Sequence, residues 1–433
     1  MQSFLQLVAH NLYAKIGNDL SRTALIFPNK RANLFFNEYL AGESDQPIWS
    51  PAAMSISDLF QKLSVQKSGD PIRLVCELYK VFKEETQSQE TLDDFYFWGE
   101  LLISDFDDVD KNMVDADKLF SNLQDLKNLM NDYEFLDKEQ EEAIQQFFQN
   151  FSIERRTELK EKFISLWDKL GTIYHRYREN LTELGIAYEG MLYRNVIEQL
   201  DTDQLKYDKY IFVGFNVLNK VENEFFRKLK DAGKALFYWD YDIFYTQQIR
   251  KHEAGEFLKR NLGEFPNELP ESFFDTFKEP KKIRYISAST ENAQARFLPE
   301  WIKMITDNHS QIAEEKEKEN AVVLCNEALL LPVLHSIPQE VKNVNITMGF
   351  PLAQTPVYSF INAAMELQTN GYRSDTGRFT YEAVSAILKH PYTQQLSSHA
   401  GPLERELTQT NRFYPLPSEL KQDDFLTTLF TPR

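Results

Sequence analysis

Cysteine is nearly absent: Cys76 and Cys325 are the only two in 433 residues. Two thiols cannot supply the four ligands of a closed zinc or iron–sulfur site, and a disulfide framework is not expected. Positive charge is also in deficit. With 48 Lys and Arg against 66 Asp and Glu, the formal net charge is -18. A protein that coats nucleic acid unaided is usually basic, so any nucleic-acid contact here requires a local basic strip or a partner chain. No apolar run approaches the roughly 18 residues that cross a bilayer. Residues 1–20 are amphipathic and charged, without the apolar core and small-residue cleavage site of a leader. No membrane contact is expected, and the cytoplasm is the expected compartment.

The signatures of chemistry are missing as well. A phosphate loop reads G-x-x-x-x-G-K-[ST], its glycines letting backbone N–H groups approach the phosphates. The one Gly-Lys pair, Gly233-Lys234, is followed by Ala235 and precedes a strand, so it reads as a helix stop. The strand that would end in a magnesium-holding Asp reads YIFVG and has Val213 instead, which cannot organise a metal shell. Asp240 and Asp242 follow the next strand and read as caps or turn residues. Asp105, Asp107, Asp108 and Asp110 cluster, but an EF-hand begun at Asp105 would need Gly where Asp110 stands, so a solvated helix end or loop is expected. The seven histidines are scattered, and no HExxH pair or G-x-S-x-G elbow occurs. Glu158-Leu-Lys160 and Glu419-Leu-Lys421 match the short half of a PD-(D/E)xK nuclease site. The first falls on a helical pattern and the second beside Pro417, so neither is taken as a metal site.

What is present is apolar and aromatic: 42% hydrophobic residues, with 33 Phe and 20 Tyr. That composition and length predict well-packed cores in two or three domains. Residues 4–16 have helical spacing, TALIFP (23–28) reads as a buried strand, 31–41 as a helix and IWSP (48–51) as a second strand. Ser57 is positioned to cap a helix beginning SDLFQKL. From 71 to 200 the chain is charged and poor in Gly and Pro. Leu159, Phe163, Leu166, Leu170, Ile173, Tyr177, Leu181 and Leu184 recur at helical steps, predicting a long amphipathic helix in a helical insertion. Strands return at 210–214 and 235–239, with a helix between them stopped near Gly233. This βαβ spacing implies a parallel sheet. Residues 255–280 read as a connection. A second α/β run is expected from strands at 282–289, 321–325 and 343–349 and a helix at 291–307, with 311–320 as a solvated link and helices after about 355.

One basic constellation stands out. Pro28, Asn29, Lys30 and Arg31 lie between a strand and a helix, where a helix N-terminus flanked by cations can hold a phosphate. Phe35, Phe36 and Trp49 are candidate stacking surfaces for bases, with packing in the core as the alternative for the two Phe. Lys30 and Arg31 are either phosphate ligands or solvated charges.

Several stretches resemble one family. TALIFPNKRANLFFNEYL is similar to the motif Ia region of AddB-type recombination subunits, a region that touches single-stranded DNA in superfamily 1 helicases. YIFVGFNVLNKVENEFFRKL resembles that family's DGF…LT…E…L stretch, with Val213 at the Asp position while Gly214, Phe215 and Glu222 or Glu224 continue the pattern. IRYISASTENAQARFLPEWI, AVVLCNEALLLPVLHSIP and NVNITMGFPLAQTPVYSFI resemble its second lobe, and ILKHPYTQ (387–394) its L…HPY element. The FPN-[KR]-R-A and MGFPL variants are similar to AddB-like proteins of Bacteroidetes.

The resemblance implies an α/β protein with two RecA-like (P-loop NTPase fold) lobes, parallel sheets and large all-α insertions. Residues 1–70 and 201–280 would form the first lobe, split by a helical domain at 71–200. Residues 281–365 would form the second lobe, and 366–433 the start of another helical insertion. It implies an ATPase-inactive helicase-like portion of an AddB-type subunit, guiding DNA in double-strand-break end resection beside an AddA-like helicase/nuclease subunit. Asn29, Lys30 and Arg31 would contact single-stranded DNA. No catalytic residue, nucleotide site or metal is expected in this segment. A PD-(D/E)xK nuclease domain, with Mg²⁺ and an iron–sulfur cluster, is expected downstream. The competing expectation is a protein-interaction scaffold that does not itself bind DNA.

Overall fold

The computed structural model describes residues 3–121, 157–247, 253–305 and 320–433. They divide into two compact units, residues 1–281 and 282–433.

The first unit is mixed α/β. Ser3 caps helix α1 (Phe4–Ile16) by accepting a hydrogen bond from the Gln6 amide. Strand β1 (Thr23–Phe27) is buried along its whole length, as its continuous apolar sequence requires. Helix α2 (Ala32–Ala41) follows, then β2 (Ala52–Ser55) and α3 (Ile56–Leu63). The strand expected at 48–51 thus starts at Ala52, because Pro51 has no N–H to give a ladder. Trp49 makes only an isolated bridge with Asp19. The expected cap also moves. Ser55 is the residue in extended geometry, and it forms a reciprocal capping box with Asp58, while Ser57 sits inside the helix.

The sheet is completed by β5 (Lys209–Val213) and β6 (Ala235–Tyr238), joined by helix α9 (Lys220–Asp231). The order is β2-β1-β5-β6, and every pairing is parallel. Alternation sorts the side chains onto two faces. Leu25, Phe27, Ile211 and Val213 pack against α1 and α2 through Val8, Leu12, Phe36 and Leu40. Ala24, Ile26, Tyr210, Phe212 and Phe237 face α3 and α9, meeting Phe60, Phe225 and Phe226. Gly233 takes φ +66, a conformation open to glycine, and ends the helix before β6.

Helical chain is inserted between β2 and β5. Its described helices are α4 (Pro71–Thr86), α5 (Leu92–Lys111), α6 (Ala116–Ser121), α7 (Thr157–Glu183) and α8 (Glu189–Gln199). Residues 122–156 of the expected helical segment lie outside the described residues. A two-residue parallel pair, β3 (Lys67–Ser68) with β4 (Ile186–Ala187), brings the start and finish of the insertion side by side. Its core is continuous with the α3 and α9 face of the sheet.

The second unit departs from expectation. The segments 282–289, 321–325 and 343–349 form no strand, and Ile283, Tyr285, Val323 and Ile346 are exposed. A β-branched run becomes a strand only within a regular ladder, and none of these segments lies in one among the described residues. The helix expected at 291–307 is broken into Glu291–Arg296 and Leu298–Ile305, with Pro299 near the start of the second piece. Residues 306–307 and 311–319 lie outside the described residues. The last 78 or so residues are mainly helical, packed around Leu367, Phe379, Ile387, Leu403 and Phe430. Among the described residues, no helix is long and apolar enough to cross a membrane.

Candidate functional site

In an open parallel sheet, ligands bind outside the carboxyl ends of the strands, where successive crossovers run in opposite directions. That point here lies between β1 and β5. From β1 the chain crosses to β2 by α2 on one face, and from β5 it crosses to β6 by α9 on the other. The loops leaving these two strands are Pro28–Arg31 and Gly214–Leu218. Asn29, Lys30 and Arg31 therefore sit at the edge where this topology places ligands.

The Pro28–Arg31 loop is ordered by its own sequence. The Asn29 side-chain oxygen accepts a hydrogen bond from the Arg31 amide at 3.1 Å, an Asx-type turn. Arg31 is already in helical geometry and gives α2 no side-chain cap. Across the switch point Gly214 has φ +73, and a Cβ there would come no closer than 3.7 Å to the Phe4 ring. Backbone conformation therefore favours glycine there, not a lack of space. The Asn216 carbonyl is held by the Asn261 amide nitrogen at 2.6 Å, so the second loop is braced from below.

Lys30 is not a bare cation. Its Nζ lies 3.0 Å from Asp58 Oδ1. The same Asp58 carboxylate accepts from the Ser55 hydroxyl at 2.8 Å and the Ser55 amide at 3.2 Å. The Lys30 hydrogen bond, followed by that from Ser55, holds the Asp58 carboxyl below its ordinary range. Sequence reading missed Asp58. Its signal was Ser-x-x-Asp directly after a strand, a capping box that places the carboxylate at the carboxyl edge of the sheet.

The aromatic residues grouped with this loop separate. Phe36 is fully buried, 6.2 Å from Phe27, and belongs to the core. Phe35 and Leu34 are exposed on α2. Trp49 is exposed too, but it pairs beside Asp19 at the amino end of the sheet, opposite Lys30. It cannot share a stacking surface with Lys30 and Arg31.

A polar seam joins this edge to the helical insertion. The Ser57 hydroxyl donates to Glu189 at 3.2 Å, Lys111 Nζ lies 2.6 Å from Glu189, and Lys111 also meets Asp107 at 2.8 Å. Burial raises the Glu189 pKa, but the bonds from Lys111, Tyr193 and Ser57 outweigh it and leave the carboxyl below its ordinary range. The first turn of α3 thus holds Lys30 through Asp58 and the insertion through Ser57.

The remaining candidates resolve into structure. Val213 is buried in the sheet core. Lys234 Nζ donates to the Thr202 carbonyl, and Asp242 accepts from the Phe244, Thr276 and Phe277 amides. The acidic cluster, expected as a solvated helix end or loop, is the last part of α5, but it is not wholly solvated. Asp110 is fully buried there, among Tyr174, Tyr188, Arg178 and Arg194. Its position four residues after Phe106 on an apolar stripe was the available signal. Glu419 caps Leu416 and pairs with Arg412. Glu158 and Lys160 fall on α7. His252 and His309 lie outside the described residues.

Ser359 Oγ and His390 Nε2 are 2.9 Å apart, but His390 Nδ1 accepts from the Tyr392 amide. Neutral His390 therefore carries its proton on Nε2 and cannot take one from the serine, which rules out a nucleophile–base pair. A depression of about 410 Å³ along α7 is lined by His175, Arg178, Glu179, Thr182 and Glu183. All five come from one helix, without the convergent groups from several elements that mark a binding site. Among the described residues, no group of three or more His, Cys, Asp or Glu is arranged to hold a metal.

The sequence matches no family model and no curated protein. The first unit is a mixed α/β fold built on a four-stranded parallel sheet with a helical insertion between β2 and β5.

Proposed function

We propose that this chain is the ATPase-inactive, superfamily 1 helicase-like portion of an AddB-type subunit, guiding single-stranded DNA in double-strand-break end processing. On this reading an AddA-like subunit supplies the ATP-driven motor. The first unit is a RecA-like lobe split by its helical insertion. Residues 281–365 are read as the partner lobe and 366–433 as the start of a further helical insertion, on the resemblance of their sequence alone. The nuclease domain, with its Mg²⁺ and iron–sulfur cluster, belongs downstream of this segment.

The observation that carries the reading is the placement of Asn29, Lys30 and Arg31 at the switch point of a parallel sheet. The sequence that resembles motif Ia occupies the sheet edge where α/β proteins take ligands. The missing phosphate loop and the buried Val213 support a lobe that keeps the shape without gripping triphosphate. Fluorescence anisotropy of the chain with labelled single-stranded DNA at low salt tests it. Binding that falls when Lys30 and Arg31 are reversed in charge supports the guide.

A second reading, a scaffold without direct DNA contact, draws on the net charge of -18 and on the exposed apolar face of Pro356–Glu366, where Val357, Ile361 and Met365 stand in line. No binding at low salt favours the scaffold.

A further inference from the structure

We infer that Asp58 is an intramolecular competitor for the phosphate that Lys30 would bind, so that single-stranded DNA must displace a carboxylate before it gains this contact. The inference rests on the DNA-guiding reading and adds a gate to the same edge.

The two members of the pair are held very differently. The Asp58 carboxylate is fixed by two hydrogen bonds from Ser55 in a capping box, and its side chain is only 28% exposed. Lys30 is 74% exposed, at the end of a flexible four-carbon stem, and carries the mobile half of the contact. A carboxylate oxygen 3.0 Å from the ammonium occupies the place a phosphate oxygen would take. Any polyanion reaching Lys30 also meets the Asp58 charge. The pair therefore both satisfies the lysine and repels the ligand. DNA with many phosphates can offset this, whereas a lone phosphate cannot. The gate thus favours extended strands over single anions in an acidic protein.

The gate is anchored at the junction already described. Asp58 and Ser57 are neighbours in the first turn of α3, and Ser57 reaches Glu189 of the insertion. A shift of that turn would release Lys30.

The experiment compares the full chain with Asp58→Asn, Lys30→Gln and the double variant, by anisotropy with labelled oligothymidine at low salt. Asp58→Asn keeps an oxygen for the Ser55 cap, and Asp58→Ser is a second test that shares no amide. Unchanged thermal unfolding verifies that α3 is intact. An exposed pair of this kind supports a gain of up to about five-fold in affinity for either Asp58 variant. The gain must vanish when Lys30 is Gln. An equal gain in the Lys30→Gln background would show a general charge effect and overturn the gate. So would no gain where Lys30→Gln alone weakens binding. If no protein in the set binds, the DNA-guiding reading fails, and the gate with it.

Discussion

The Tyr188 hydroxyl donates to Asp110 Oδ2 at 2.5 Å, joining the strand-to-helix turn before α8 to the end of α5 inside a core that excludes water. Tyr174 donates to the other oxygen at 2.6 Å, and Arg178 and Arg194 supply opposite charge. One carboxylate thus ties together α5, α7 and α8. Burial raises the Tyr174 and Tyr188 hydroxyl pKa values, keeping both protonated as donors.

Removing that carboxylate leaves two guanidinium groups without their buried partner. Asp110→Ala is expected to destabilise the first unit by about 3–5 kcal/mol. Chemical denaturation followed by tryptophan fluorescence measures it. A loss within experimental scatter would mean that the arginines find other partners.

Gly190 starts the contact between α8 and α5. A Cβ there would lie 2.3 Å from the Asp107 carbonyl oxygen, and backbone cannot step aside as a side chain can. Gly190→Ala is expected to cost ~1–3 kcal/mol or more through the forced separation of the helices. Gly185→Ala is a useful contrast. It meets no atom within 4 Å but carries φ +68, so its penalty is one of backbone conformation alone.

Asp105 supplies a pH dependence. Among the described residues its Oδ2 is buried without a hydrogen-bond partner, and burial followed by the Asp108 charge pushes its pKa up to about 7, from 3.8 in the unfolded chain. The folded state therefore holds a proton between those values that the unfolded state releases. Its contribution to stability falls as pH rises through that window. Asp105→Asn should be more stable than the wild type at pH 8, with the advantage shrinking by pH 4. Thermal unfolding at both pH values checks this. An advantage independent of pH would assign the effect to shape instead of charge.

The first unit was legible where burial writes itself into composition. TALIF, YIFV and ALFY are continuous apolar runs because a parallel strand covered on both faces has no solvent side. β2 was displaced because Ala52, Ala53 and Met54 are small or flexible and carry a weaker strand signal than Ile48 and Trp49, which stand ahead of Pro51. The second unit was over-read for the complementary reason. Ile283, Val323 and Ile346 have strand-forming side chains, but a ladder depends on neighbours that local sequence does not encode. At the candidate site, Asn29, Lys30 and Arg31 could be found by their place between strand and helix. The Lys30–Asp58 pair could not, because it joins the loop after β1 to the first turn of the helix after β2, which only the parallel ladder between β1 and β2 brings side by side.

The central claim is that the edge carrying Lys30 and Arg31 takes the backbone of single-stranded DNA. The salt dependence of oligothymidine binding by the wild-type chain and by the Lys30→Glu, Arg31→Glu variant measures it directly. The account predicts weaker binding by the variant and a log–log salt slope reduced by about 1 to 2, as for the loss of two phosphate contacts. Equal affinity and equal slope for the two proteins would contradict it.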